Sequence, residues 1–147
     1  MPKVRSFLSA VRAENPALPV GTAGFCWGGQ FAVLLAHGAE VDGKPLIDAS
    51  FTAHPSFLKI PGDIEKIRKP VSIAIGDKDF VLSAAQVKQT EGILKKLEGV
   101  RTEIQHYAGA GHGFAVRADY NNDKQSAQAA EAEDQAVNFF TQCIKEV

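Results

Sequence analysis

The chain has 147 residues, with 16 basic and 17 acidic side chains, an apolar fraction of 45% and a charged fraction of 22%. This is the composition of one soluble globular domain, and a chain of this length buries roughly 70% of its unfolded surface, enough for a core without disulfides or structural metal. A net charge of −1 with no basic run supplies no field for phosphate backbones or anionic lipid, which argues against nucleic-acid and membrane-surface roles.

Taken in chain order, Val4, Phe7, Leu8 and Val11 repeat at helical spacing and predict a first helix ending near Asn15-Pro16, because proline disfavours helix in the residue before it. A short strand follows from about Val20 to Phe25. Gln30 to His37 is apolar on nearly every face, as in a helix buried against a sheet, and stops at Gly38. Leu46 to Thr52 reads as a second strand and Val71 to Ile75 as a third, with Pro70 at its entry. Val87, Thr90, Leu94 and Leu97 mark a helix, Arg101 to Tyr107 alternates as a fourth strand, and Gln125 to Glu146 forms the last helix. Strands alternating with helices imply an α/β fold: a parallel sheet of about four strands in sequence order, flanked by helices on right-handed crossovers. The first strand then lies at a sheet edge. An apolar edge of unpaired backbone groups is something proteins cover or pair, so the chain is expected to pair along it with an upstream segment or a second chain, or to aggregate.

The longest apolar stretch, Phe31 to Ala36, is far short of the roughly 20 residues that cross a bilayer. The opening Met1-Pro2-Lys3-Val4-Arg5 leads into an amphipathic segment rather than a signal core, so a natural start at Met1 implies a cytoplasmic protein.

Cys26 and Cys143 are the two cysteines, too few for a disulfide framework or a multi-cysteine zinc site. Nothing else in the sequence calls for a cofactor or a metal. Cys143 shares an apolar helical stripe with Ala136, Phe139, Phe140 and Val147 and reads as a core residue. Cys26 lies instead in Gly24-Phe25-Cys26-Trp27-Gly28, a G-x-C-x-G pattern between a strand and a buried helix, the setting of a nucleophile elbow. Glycines two before and two after let strand and helix backbones approach. The helix N-terminus favours a thiolate over a thiol, and the Trp27 backbone N–H points towards a developing oxyanion. The competing reading is a glycine-rich turn around a buried cysteine.

A nucleophile needs a base, and the base an orienting carboxylate. The third strand runs into Gly76-Asp77-Lys78-Asp79 and the fourth into Ala108-Gly109-Ala110-Gly111-His112-Gly113-Phe114. In a parallel sheet these segments and the elbow share the carboxyl-end rim, where such folds place ligands. Asp77 and Asp79 compete for the acid role. His112 is the candidate base, whereas His37 at a helix end and His106 inside a strand read as structural or surface residues. His54, after the second strand, is either a turn residue or part of the pocket lining.

The segments Gly-Phe-Cys-Trp-Gly-Gly, Gly-Asp-Lys-Asp and Gly-Ala-Gly-His-Gly-Phe-Ala-Val-Arg resemble those of the dienelactone hydrolase family, of α/β-hydrolase fold. Separations of 53 residues from Cys26 to Asp79 and 33 from Asp79 to His112 agree with that family. The resemblance implies Cys26 as nucleophile, Asp79 rather than Asp77 as acid, and His112 as base. It implies Arg117 as a holder of an anionic substrate group, an exposed arginine beside Asp119 being the alternative. His54 and Phe114, by their places after the strands, are the other candidate substrate contacts. The implied activity is cleavage of a small ester or lactone through an acyl-enzyme. It also implies that residues 1–147 are a single domain holding the C-terminal part of the fold, without the N-terminal strands, which in this family supply a second oxyanion donor and a glutamate associated with thiol activation. A noncatalytic binding module on a truncated hydrolase scaffold is the rival function.

Overall fold

The computed structural model describes residues 1–145. Its elements, in order, are α1 (Pro2–Glu14), β1 (Gly21–Phe25), α2 (Trp27–Leu35), β2 (Glu40–Val41), β3 (Lys44–Pro45), β4 (Ala49–Ala53), α3 (Gly62–Glu65), β5 (Val71–Lys78), α4 (Ala84–Leu94), β6 (Thr102–Gly111) and α5 (Asp123–Lys145). The strands β1, β4, β5 and β6 form one parallel sheet in that spatial order, as the strand–helix alternation predicts. Each connection carries a helix, because parallel neighbours need a crossover.

The central strands are buried on both faces. All five β4 residues are buried, as are β5 residues from Val71 to Gly76, the near-continuous pattern of a parallel sheet covered on both sides. Alternation along β5 separates two cores. Val71, Ile73 and Ile75 pack with Val33 of α2, Ile64 of α3 and Val87 and Leu94 of α4. Ala74 faces the other way and packs with Phe51, Tyr107, Phe114 and Ala132 of α5. A third cluster joins Leu8 of α1 to Val20, Leu35, Leu46 and Ile47.

Several boundaries differ from those predicted. The segment from 40 to 45 is a small antiparallel hairpin, turned by Asp42-Gly43 with both φ values positive. Asp-Gly is the local signal for such a turn, which the sequence reading passed over; the strand expected from Leu46 to Thr52 runs from Ala49 to Ala53. Helix α2 begins at Trp27 rather than Gln30. Strands β5 and β6 run on past Ile75 and Tyr107, and their register shifts between Gly76 and Lys78; Asp77 is therefore a strand residue rather than a loop residue. Phe7, part of the apolar repeat that predicts α1, is 67% exposed. Leu97 lies beyond α4 but still packs on its core. Glu146, placed in the last predicted helix, lies outside the described residues. Among those residues no helix is long and apolar enough to cross a membrane.

Candidate active site

Cys26 joins β1 to α2 with φ 50° and ψ −119°. A non-glycine residue there is strained, and such strain persists only where its surroundings hold it. Its carbonyl accepts from the N–H of Gly29 at 3.0 Å and of Ser56 at 2.9 Å. A Cβ on Gly24 would collide with the carbonyl group of Gly28 and lie 3.0 Å from the Ala32 Cβ. A Cβ on Gly29 would sit 2.5 Å from Thr52 Oγ1 and 2.6 Å from Pro55 Cβ, whereas a Cβ on Gly28 would meet open space. The close approach thus depends on Gly24 and Gly29 as the residues without side chains, with Gly28 contributing its backbone. Trp27 is the first residue of α2, so its N–H has no acceptor within the helix. Its side chain is exposed, edge-on to Phe31.

The two candidate carboxylates are directed differently. Asp79 Oδ2 and Oδ1 lie 3.0 and 3.1 Å from His112 Nδ1, and the pair is almost fully enclosed, with 8% of the histidine and 1% of the aspartate side chain exposed. Asp79 Oδ1 also accepts from the Val81 N–H at 2.8 Å. Asp77 accepts from the Gly109 N–H at 2.6 Å and so ties the ends of β5 and β6 together. The other ring nitrogen of His112, Nε2, is 3.4 Å from Ser56 Oγ.

Around the thiol, His54 Nδ1 and Arg117 Nη2 each lie 3.4 Å from Cys26 Sγ. Gly113, at φ +93°, makes room for that arginine, since a Cβ there would be 2.8 Å from Arg117 Nε. The sulfur, one ring nitrogen of His54 and one of His112 all fall within 4.8 Å of one another. These are soft donors of the kind that bind transition metals. Arg117 nevertheless holds a fixed positive charge at the sulfur, which opposes a cation there.

His54 is wholly buried, and its ring meets His112 and Phe114 in edge-to-face contacts. Burial, and then the neighbouring His112, lower its pKa to about 4, because both disfavour the imidazolium. Phe114 is also enclosed, wedged between the rings of His54 and Tyr107. His54 has no exposed surface to offer a substrate, whereas Phe114, though largely enclosed, lines a cleft with His112 and Arg117. His37 bonds the Asp63 carbonyl, His106 bonds Glu91, and Cys143 is buried beside Ala49 and Phe139.

Two neighbours of His112 were missed from sequence. Ser56 follows β4 at the carboxyl-end rim, so the rule placing ligands at that rim was the signal available. Phe80, 85% exposed, has its ring 5.5 Å from that of His112; an aromatic next to a candidate acid carries no comparable signal.

A parallel sheet with helices on both faces and a strained elbow at its carboxyl-end rim defines the α/β-hydrolase class. The family model for dienelactone hydrolases matches residues 5–144, and the chain belongs to the dienelactone hydrolase family. Its relatives include the hydrolase tropI of Talaromyces stipitatus, 32% identical over 145 residues that cover 99% of this chain and 54% of that protein. The carboxymethylenebutenolidase of Rhodococcus opacus is 29% identical over 131 residues, 82% of this chain and 48% of its own length. The crystal structure of a candidate dienelactone hydrolase from Klebsiella pneumoniae superposes with a TM-score of 0.71 at 24% identity, covering 95% of this chain and 57% of the other. The chain spans about half the length of the curated relatives it matches.

Proposed function

We propose that this chain carries the nucleophile, base and acid of a hydrolase that cleaves a small ester or lactone through an acyl-enzyme. The observation that carries the reading is the enclosed His112–Asp79 pair beside a cysteine held at positive φ at a helix N-terminus. Asp79 occupies Nδ1 of His112, which leaves Nε2 to take the thiol proton. A ring nitrogen of His112 lies within 4.8 Å of the sulfur, close enough for rotation of the Cys26 side chain to bring the two into hydrogen-bond reach. The thiolate attacks the carbonyl carbon, a C–S bond forms, and the carbonyl π pair moves onto oxygen beside the Trp27 N–H. Collapse expels the alkoxide, which takes the proton from His112 and leaves a thioester. Water, deprotonated by His112, then attacks the thioester and the C–S bond breaks, returning the thiolate and releasing the acid.

Arg117 in this reading holds an anionic group of the substrate close to the sulfur. The 147 residues serve as one hydrolase domain, with the outer edge of β1 available to a further strand. The test is hydrolysis of an activated aryl ester by variants of the protein. Cys26→Ala should lower turnover by at least about 10⁴-fold, while Cys143→Ala leaves it near the unsubstituted rate. Full activity in the Cys26 variant would sink the nucleophile assignment.

A further inference from the structure

We propose that His54 is a neutral hydrogen-bond donor to the Cys26 sulfur, holding it as thiolate in the resting enzyme, a role separate from proton transfer by His112. The assignment rests on the reading of Cys26 as nucleophile. Its geometric basis is the 3.4 Å approach of Nδ1 to Sγ by a side chain with no exposed surface.

The tautomer follows from the other ring nitrogen. His54 Nε2 is buried and has no hydrogen-bond partner among the described residues. A proton on Nε2 would strand a donor in the core, whereas a proton on Nδ1 strands only an acceptor and aims the N–H at the sulfur. Orphaned buried donors are rarer than under-used acceptors, so the Nδ1–H form is favoured. In that form the ring has no lone pair facing the thiol and cannot act as its base. The charged and titratable groups facing it are Cys26, His112, Asp79 and Arg117. A second proton would put a cation at an unsolvated site next to His112 and Arg117, so the ring stays neutral.

The backbone supports this role. His54 follows β4 at φ +40°, an unusual angle for a residue with a side chain, and its N–H is tied to the Ala74 carbonyl at 2.9 Å. Two residues on, the Ser56 N–H holds the Cys26 carbonyl. One turn therefore grips Cys26 at both its backbone oxygen and its sulfur. Phe25 and Phe114 pack on the imidazole and fix its plane. During the reaction the Nδ1 proton stays on nitrogen: its bond to sulfur weakens as the C–S bond forms and is restored when that bond breaks.

The test is the pH dependence of Cys26 alkylation by iodoacetamide, read by mass spectrometry on the 147-residue chain. His54→Phe keeps a ring but removes the donor. It should shift the alkylation midpoint upward and lower the rate near neutral pH by about tenfold, as expected for loss of one charge-assisted hydrogen bond. In His54→Asn the amide nitrogen falls near the position of Nδ1 and should restore most of the rate. In His54→Gln the amide reaches towards Nε2 and should not. An unchanged midpoint in the folded Phe variant, or rescue by Gln but not Asn, overturns the proposal. Should the Phe variant fail to fold, the Asn–Gln comparison decides. An unshifted midpoint with an inactive Cys26→Ala enzyme refutes the His54 role alone, whereas an active Cys26→Ala enzyme refutes the nucleophile reading.

Discussion

Asp77 and Asp79 stand two residues apart at the end of β5 and serve different partners. The register shift between Gly76 and Lys78 separates them: Asp77 reaches across to the Gly109 N–H while Asp79 turns inward onto His112. Replacing Asp79 by Asn should retain the shape but favour the wrong imidazole tautomer, lowering kcat on the order of 10⁴-fold. Asp77→Asn should leave kcat nearly unchanged and cost about 1 kcal/mol of stability, as for one peripheral hydrogen bond. Steady-state kinetics and urea unfolding of the two variants check this, and a larger kcat loss in the Asp77 variant would reverse the assignment. His54 carries a separate pH signature. In the unfolded chain it protonates near its ordinary 6.5, but in the fold only near 4. Its contribution is present in full above about pH 6.5 and is lost as pH falls towards 4, because the unfolded state takes up a proton that the native site refuses. The loss is about 3 kcal/mol at most. Urea unfolding across this window should show a steeper decline for the unsubstituted chain than for His54→Phe, and parallel curves would contradict it.

The elbow shows how one element constrains the next. Gly24 on β1 faces the first turn of α2, and a methyl group there would collide with the Gly28 carbonyl. Gly24→Ala should therefore destabilise the chain by roughly 1–3 kcal/mol, as overpacking does. Gly28→Ala should be neutral or slightly stabilising, since its Cβ would meet open space and alanine is the better helix former. Thermal unfolding of the pair distinguishes them, and equal losses would show that the glycines act together. The boundaries of β5 and β6 were harder to read. Apolar alternation fades after Ile75 and Tyr107, yet both strands continue, because the Gly76 backbone lies so close to Ala110 that a Cβ there would collide with its carbonyl. That pairing is long-range and leaves no local periodicity.

Across the molecule, β1 and β6 are the two edges of the sheet, and β1 is the edge that carries the elbow. Among the described residues it pairs with β4 on one side and with no strand on the other. Phe25 at its end is 36% exposed, and Val137 of α5 nearby is 55% exposed. An edge of this kind is a template for another strand. In sedimentation or size-exclusion experiments the 15.8 kDa chain should run as larger species or associate with rising concentration. A monomer at all concentrations would show that the edge is sufficiently protected as it stands.

The sequence by itself determined the parallel order of the four main strands, the elbow at Cys26 and the family to which the chain belongs. These depend on local signals: glycine spacing, strand–helix alternation, and motifs whose residues are neighbours in the chain. Tertiary structure alone decided which side chains meet the sulfur. His54 reads as either a turn residue or pocket lining, and only the placing of the end of β4 against β1, in the register that pairs Phe25 with Ala53, sets it beside the sulfur. Phe114 reads as a candidate substrate contact, and only the packing of α5 decides how far it is enclosed. Where a rim side chain points depends on strand register and on what packs above it, and neither is encoded within a few residues of the side chain itself.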